Sequence, residues 1–171
     1  MVDVGGHRVL PAAVVLLVAS VGLIGCSGSK LHQAAPKVAS AGPGIDRAAA
    51  NYLAIAIPAN AELEASLDAL DGRDHRNLAA ARGRLLDVVR TERAFDRVLL
   101  AVALPAALAD TAQSLVRVNE SRAELTARAA AAVTLRVLWI RASGLSAANA
   151  LVEQQVETLR AQLGLAPPDP G

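Results

Sequence analysis

Few side chains in this 171-residue sequence could support nucleophilic, acid–base or metal chemistry. There are three histidines: His7 and His32 precede the long helical part of the chain, and His75 lies within it. No recognisable serine or cysteine nucleophile accompanies His75, so we expect a surface histidine rather than a catalytic base. Di-iron bundles need glutamate followed three residues later by histidine, and this spacing does not occur. We therefore expect no enzyme activity, no metal and no cofactor.

Cys26 is the only cysteine, which leaves no partner for an internal disulfide and no thiolate cluster for a metal. Residues 9–25 before it form a run of 17 uncharged residues, which would span about 25 Å as a helix. The run ends in Leu23-Ile24-Gly25-Cys26. This tetrapeptide resembles the lipobox of bacterial lipoproteins, in which an aliphatic residue lies three positions before the cysteine and a small residue directly before it.

The resemblance implies an anchor and a compartment. The sulfur of Cys26 would receive a diacylglyceryl group, and cleavage between Gly25 and Cys26 would remove residues 1–25 as a signal peptide. The mature protein would then be held by acyl chains such as palmitate on the extracytoplasmic face of the cell membrane, because two chains anchor stably where one is marginal. An uncleaved transmembrane anchor and a secreted protein with a coincidental cysteine remain open. The resemblance covers about 26 residues and transfers no activity.

The segment after the lipobox has the composition of a linker. Eight of the eighteen residues 27–44 are Ser, Gly or Pro, and a flexible coil of this length reaches about 25 Å. Lys30 and Lys37 lie in it and are the only lysines of the chain. We predict a linker at 26–44, a folded domain at 45–164 and a disordered tail at 165–171.

The composition favours an all-α domain. The chain holds 38 alanines and 25 leucines, which favour helix, and only 2% aromatic residues. Lys+Arg 17 against Asp+Glu 16 gives a net charge of +1, which offers no basic footprint for nucleic acid. We expect a core of small and aliphatic side chains, with Tyr52 and Phe95 inside it and Trp139 beside it.

Apolar residues at spacings of three and four predict two helices. The first covers about 45–70 and passes through Pro58 with a kink, because the apolar stripe keeps its phase there. Residues 71–74 have turn chemistry, with Asp74 as the expected N-cap of the second helix. The second stripe runs to Val102 and includes Glu92, Phe95 and Val98.

Beyond Val102 two interpretations fit. Possible capping boxes begin at Asp110 and Ser121, and a last helix from Ser121 to about Leu163 would give three long, proline-kinked helices. Alternatively, Ser143-Gly144 is a turn and Ser146 caps a short fourth helix. We favour four helices because a helix of about 45 residues is unusually long. Both versions are antiparallel up-down bundles.

Charge patterning suggests how the first two helices meet. Arginines that begin the second helix, Arg73, Arg76, Arg82 and Arg84, are expected to pair with carboxylates that end the first, Glu62, Glu64, Asp68 and Asp71. Two functions remain open. One is a non-enzymatic structural or partner-docking module of the cell envelope, whose partner is an envelope protein. The other is a carrier or sensor that binds an apolar ligand, such as an acyl chain, between its helices.

Overall fold

The computed structural model of the chain describes residues 43–168. This part is helical, as predicted, and contains the helices α1 (Pro43–Asp71), α2 (Leu78–Ala101), α3 (Ala106–Ala130), α4 (Leu135–Ser143) and α5 (Ser146–Gln162). None of these helices combines the length and the hydrophobicity needed to cross a membrane. The predicted lipobox and most of the predicted linker lie outside the described residues.

Helix α1 runs without interruption through Pro58, which confirms the predicted continuity of the apolar stripe. Proline costs the helix one backbone hydrogen bond, and Pro58 lies on the exposed face, where water can reach the released carbonyl. The inward positions alternate between small and large side chains. They include Ala48, Tyr52, Ala56, Leu63 and Leu70.

The connection to α2 differs from the prediction in its cap. Asn77, not Asp74, is the N-cap: its side-chain oxygen accepts a hydrogen bond from the backbone N–H of Ala80 at 3.1 Å. Asp74 instead accepts a hydrogen bond from Arg84 Nε at 2.8 Å. Gly72 fits the turn because a Cβ there would lie 3.0 Å from the Asp68 carbonyl oxygen.

The inward face of α2 departs from the predicted stripe near its end. Val98 is 45% exposed, whereas its neighbour Leu99 is fully buried. Leu99 follows Phe95 by four residues, so the buried face continues at that spacing and turns Val98 outward.

Helix α3 (Ala106–Ala130) begins before Asp110 and Ser121, the two helix starts considered from the sequence, and it ends before the turn expected at Ser143-Gly144. It starts after Pro105, so Asp110 lies inside it rather than at its cap. Ser121 also lies inside α3 and donates its hydroxyl to the Arg117 carbonyl. The prediction of one last helix from Ser121 to Leu163 is therefore wrong.

The chain leaves α3 at residues 131–134, a break that we did not predict. Thr134 begins α4 as an N-cap, and its hydroxyl oxygen accepts from the Val137 N–H at 3.3 Å. The stretch Ala131 to Thr134 contains neither glycine nor proline, so the sequence carries only the capping residue as a signal.

A second interruption separates α4 from α5 at the predicted place. Gly144 and Leu145 keep right-handed backbone angles but bond to carbonyls three residues back, which tightens the chain for one turn. Ser146 is the first residue of α5 rather than its cap. The five helices therefore replace the four predicted, because the predicted third helix is divided at 131–134.

Two buried apolar clusters place the helices relative to one another. The terminal cluster joins the start of α1, the end of α2, the start of α3 and most of α5; its largest members are Tyr52, Phe95, Leu99, Leu115 and Leu159. The turn cluster joins the opposite ends of the first three helices with α4 and includes Leu70, Leu85 and Leu138. Successive long helices are thus antiparallel, and α4 and α5 together return along α3.

The chain end is fixed beyond the last helix. Gly164 takes a left-handed φ of 68°, and the Leu165 N–H donates to the Arg160 carbonyl at 2.9 Å. Arg160 Nε donates to the Ala166 carbonyl at 2.7 Å, and Leu165 packs against the terminal cluster. The packed part of the chain therefore extends past residue 164.

Candidate functional site

A layer of buried polar side chains separates the two apolar clusters. Asn60 on α1 and Glu92 on α2 lie between buried members of the two clusters, and Asp96 lies one turn beyond Glu92, level with Phe95 of the terminal cluster. Helix α3 contributes Asn119 and Arg122. Each of these five side chains is at most 6% exposed. We call this group the polar layer.

The polar layer is connected by charge-assisted hydrogen bonds between α2 and α3. Arg122 lies 2.9 Å from Glu92 in an ion pair and also donates to the Asn119 side-chain oxygen at 2.9 Å. The Asn119 amide in turn donates to Asp96 at 2.9 Å. The chain Glu92, Arg122, Asn119, Asp96 thus joins the two helices through their polar side chains.

Several atoms of the polar layer have no hydrogen-bond partner among residues 43–168. These include Oε2 of Glu92, Oδ2 of Asp96, Nε of Arg122 and both polar atoms of the Asn60 amide. A cavity of about 10 Å³ lies beside them, between Glu92, Asn119, Arg122 and apolar residues of α1 and α5. This volume is about what a single water molecule needs, so the cavity has no space for a larger guest.

Burial changes the protonation of the two carboxyl groups. It raises the pKa of Glu92 to about 7, and the nearby charge of Arg122 only partly opposes this effect. It also raises the pKa of Asp96 to about 6, against the opposing hydrogen bond from Asn119. Both side chains therefore titrate in the range of ordinary solution pH.

Tyr52 shows a similar effect in the terminal cluster. Burial raises the pKa of its phenol to about 12, and the charge of nearby Arg160 opposes the shift. Its ring packs edge-to-face on Phe95, with centroids 6.3 Å apart. We assign Tyr52 to packing, because its ring is fully buried against Phe95.

The surface around α4 exposes large apolar side chains beside arginines. Val133 is 80% exposed and Ile140 is 61% exposed. Arg136 and Arg141 are exposed on the same short helix, and Trp139 is half-buried beside them. Positions 136 and 140 share one face of α4 because they are four residues apart, and Val133 lies in the loop just before this helix. We call these five residues the α4 patch.

Positive charge extends from the α4 patch onto the neighbouring turn. The segments 72–84 and 125–143 carry seven arginines against one aspartate. That aspartate, Asp74, is paired with Arg84 at 2.8 Å. The last turns of α1 add Asp68 and Asp71, and Glu124 pairs with Arg128 at 3.2 Å, which leaves a small excess of arginine at this end of the bundle.

Contacts with the end of α3 fix two of these arginines. Arg82 Nε donates to the Ala130 carbonyl at 2.7 Å, and Arg141 donates to the Arg128 carbonyl at 2.8 Å. Cations near helix C-termini are favourable because the carbonyl ends carry partial negative charge. The arrangement holds the α1–α2 turn, the end of α3 and α4 together.

His75 lies on the surface, as predicted, but in the turn before α2. Its ring stacks on Trp139, with centroids 4.3 Å apart and ring planes 20° from parallel. The contact joins the α1–α2 turn to α4. Within residues 43–168, no three His, Cys, Asp or Glu side chains are grouped as metal ligands.

The predicted ion pairs between α1 and α2 do not form among the described residues. Arg84 pairs with Asp74 and Asp87 instead, and Arg82 bonds to the end of α3. Glu62 accepts a hydrogen bond from the Thr91 hydroxyl at 3.1 Å. Arg84 therefore pairs with acceptors close to it in sequence instead of reaching across to the carboxylates of α1.

Only some of these features follow from the sequence. Glu92 stood on the predicted apolar stripe, which was a signal for a buried carboxylate, but its partners Asn119 and Arg122 were not identified. Gly25 and Cys26, the predicted cleavage and lipidation residues, lie outside the described residues.

No family model, curated protein or solved structure matches this chain.

Proposed function

We propose that the chain is a lipid-tethered, non-enzymatic docking module of the bacterial cell envelope. Cys26 would hold it at the extracytoplasmic face of the membrane, and the helical domain would present a binding surface at the end of a flexible linker. The observation that carries docking is the α4 patch, where Val133 and Ile140 are exposed beside arginines. Exposed apolar groups next to polar ones are typical of interaction sites.

The alternative function is a carrier or sensor for an apolar ligand. The cavity beside the polar layer measures about 10 Å³ and is lined by Glu92, Asn119 and Arg122 among its polar residues. Ligand pockets usually enclose about 300–1,000 Å³. This comparison favours docking over the carrier.

A groove of about 600 Å³ lies between α1 and α2, but it does not suit an acyl chain. It is open to solvent, and its lining includes Glu62, Asp87, Arg90, Arg93 and Arg97. Arg90 is paired with Asp87, and Arg93 forms a bidentate pair with Glu120. We interpret this groove as a solvated charged surface.

The anchor is tested by Cys26→Ala in a bacterial host. We expect the variant to keep its leader and to lose the mass of the acyl groups, because only the thiol can form the thioether. Cys26→Ala protein that is still processed and membrane-bound at unchanged mass would reject the anchor.

Docking is tested by a photocrosslinking residue placed at position 140 and, as a control, at the exposed position 100 in α2. We expect a discrete adduct from position 140 and none from position 100. Equal adducts from both positions, or none from position 140, would contradict docking through the α4 patch.

A further inference from the structure

We infer that the α4 patch binds an anionic lipid surface, so that the domain itself contacts the bilayer. The inference rests on the proposed docking function and names its partner class. It follows from three observations on one end of the bundle: exposed aliphatic groups, an excess of arginine and a half-buried tryptophan.

The exposed aliphatic side chains of the patch stand largely in solvent. Val133 lies in the loop between α3 and α4 and is 80% exposed, and Ile140 projects from the outer face of α4 at 61% exposure. Leu138, on the opposite face, is fully buried and fixes which side of α4 faces outward. Protruding side chains suit insertion into a deformable lipid interface, because no matching pocket is required.

Charge favours the same partner. No Asp or Glu occurs from residue 125 to residue 152. Arg136 and Arg141 lie in that segment, as does Arg128, which pairs with Glu124 at 3.2 Å and so contributes less to the excess charge. Each arginine near an anionic bilayer improves binding about fivefold at physiological salt. A protein partner would need a complementary acidic surface of about 800 Å² to give a stable complex, whereas lipid contacts add residue by residue.

Trp139 completes the pattern. Tryptophan rings favour the level of the lipid headgroups, where one edge is wet and the other apolar. The ring stacks on His75, which holds it beside Arg136 and Ile140 and links the patch to the basic α1–α2 turn. The domain carries this surface at the end opposite the start of α1, so the bundle would lie along the membrane.

The tether is compatible with this orientation. The predicted linker reaches about 25 Å as a flexible coil, and α1 is 29 residues long, which corresponds to about 43 Å. If the bundle lies flat on the membrane, the linker has to span at most the thickness of one helix pair between the anchor and the start of α1. The linker is therefore long enough.

Trp139 is the only tryptophan of the chain and reports directly on the patch. The full chain is reconstituted into phosphatidylcholine vesicles and into vesicles with about one third phosphatidylglycerol, each containing brominated acyl chains as quenchers. We expect at least twofold stronger quenching of Trp139 in the anionic vesicles. About 0.5 M NaCl should reverse most of this difference, because the Debye length then falls to about 4 Å.

Two matched double variants test the residues. Arg136→Gln/Ile140→Ser changes the patch, and Arg97→Gln/Leu100→Ser makes the same type of change on exposed α2 positions at the other end of the bundle. We expect the first variant to bring the quenching ratio between anionic and neutral vesicles close to one and the second to leave that ratio unchanged. Circular dichroism verifies that both variants remain folded.

The outcomes separate the inference from the docking proposal. Equal quenching in neutral and anionic vesicles, or an unchanged signal in Arg136→Gln/Ile140→Ser, overturns lipid binding. If in addition position 140 crosslinks to a protein in cells, the partner is that protein and docking stands. If position 140 gives no adduct either, both proposals fail.

Discussion

Glu92 and Arg122 form a buried ion pair at the height where the two apolar clusters meet. Removing two charges from water is costly, and their attraction offsets the cost only in part, because Glu92 Oε2 and Arg122 Nε lack partners. The pKa of Glu92 is raised because the cost of burying its charge exceeds the stabilisation by Arg122. At the residue scale, the polar layer is therefore the part of the molecule most sensitive to pH.

The first prediction concerns that pH dependence. Burial raises the pKa of Glu92 from its ordinary value of 4.5 to about 7, so between these values the folded protein binds more protons than the unfolded chain. The stabilisation is complete below about pH 4.5 and is lost as the pH rises toward 7. Asp96 acts with the same sign between its ordinary 3.8 and about 6.

The unfolding free energy of the unchanged protein should fall as the pH rises from 4.5 to 7. We expect Glu92→Gln to reduce this fall by about a few kcal/mol, the amount that corresponds to the pKa shift of Glu92. Urea denaturation at a series of pH values measures it. Glu124→Gln, an exposed change on α3, is the matched control and should keep the slope of the unchanged protein. A slope in Glu92→Gln equal to that of the control would contradict the role of Glu92.

The second prediction concerns the pair as a unit. Arg122→Met leaves Glu92 buried without its counter-ion, and we expect a loss of about 3–5 kcal/mol at pH 8. The double variant Glu92→Met/Arg122→Met removes both charges and should recover most of the loss, because apolar groups of similar size satisfy this position. A double-mutant cycle from urea denaturation provides the comparison, and additive losses would disprove the coupling.

At the element scale, side-chain caps begin α2 and α4. Asn77 accepts from the Ala80 N–H, and Thr134 accepts from the Val137 N–H. Each satisfies a donor that the first helical turn leaves free. Capping at Thr134 accounts for a new helix in a stretch without glycine or proline.

The third prediction follows from these caps. We expect Asn77→Ala and Thr134→Ala each to destabilise the domain by about 1 kcal/mol, because each loses a cap hydrogen bond. Ser121→Ala and Ser146→Ala serve as controls, since Ser121 lies inside α3 and Ser146 follows the cap position of α5. They should change the unfolding free energy by less than about 0.5 kcal/mol. Thermal denaturation of the four variants measures these changes. A larger loss of stability in Ser146→Ala than in Thr134→Ala would contradict the assignment of Thr134 as a cap.

In the molecule as a whole, the two apolar clusters share three helices, α1, α2 and α3. Leu99 is fully buried in the terminal cluster and Leu138 in the turn cluster, and the polar layer joins the helices between them. We expect the domain to unfold as one cooperative unit, since α1, α2 and α3 run through both clusters.

The fourth prediction tests this cooperativity. Leu99→Ala and Leu138→Ala should each lower the stability of one shared transition by about 2–5 kcal/mol, because each opens a cavity in a packed core. Leu100→Ala is the control, since Leu100 is 56% exposed and should cost less than about 1 kcal/mol. Calorimetry would refute the single unit if Leu138→Ala moved one of two separate transitions and Leu99→Ala the other.

The sequence alone determined the features that depend on local periodicity and composition. Leucine and alanine at helical spacing predicted an all-α domain, the continuation of α1 through Pro58 and the burial of Tyr52 and Phe95, all of which the structure confirms. The lipobox resemblance, which ends at Cys26, stays a prediction. These signals depend on neighbours along the chain, so they can be recognised without knowing which helices meet.

Which polar groups lie at the same level of the bundle depends on the tertiary structure. Glu92 and Arg122 are 30 positions apart, and their pairing depends on the register between α2 and α3, which the loop Val102 to Pro105 sets. The contact of His75 with Trp139 likewise depends on the break at 131–134 that turns α4 toward the first hairpin. Register and crossing are fixed by packing across the whole domain, because each helix face alone allows several alignments of similar energy.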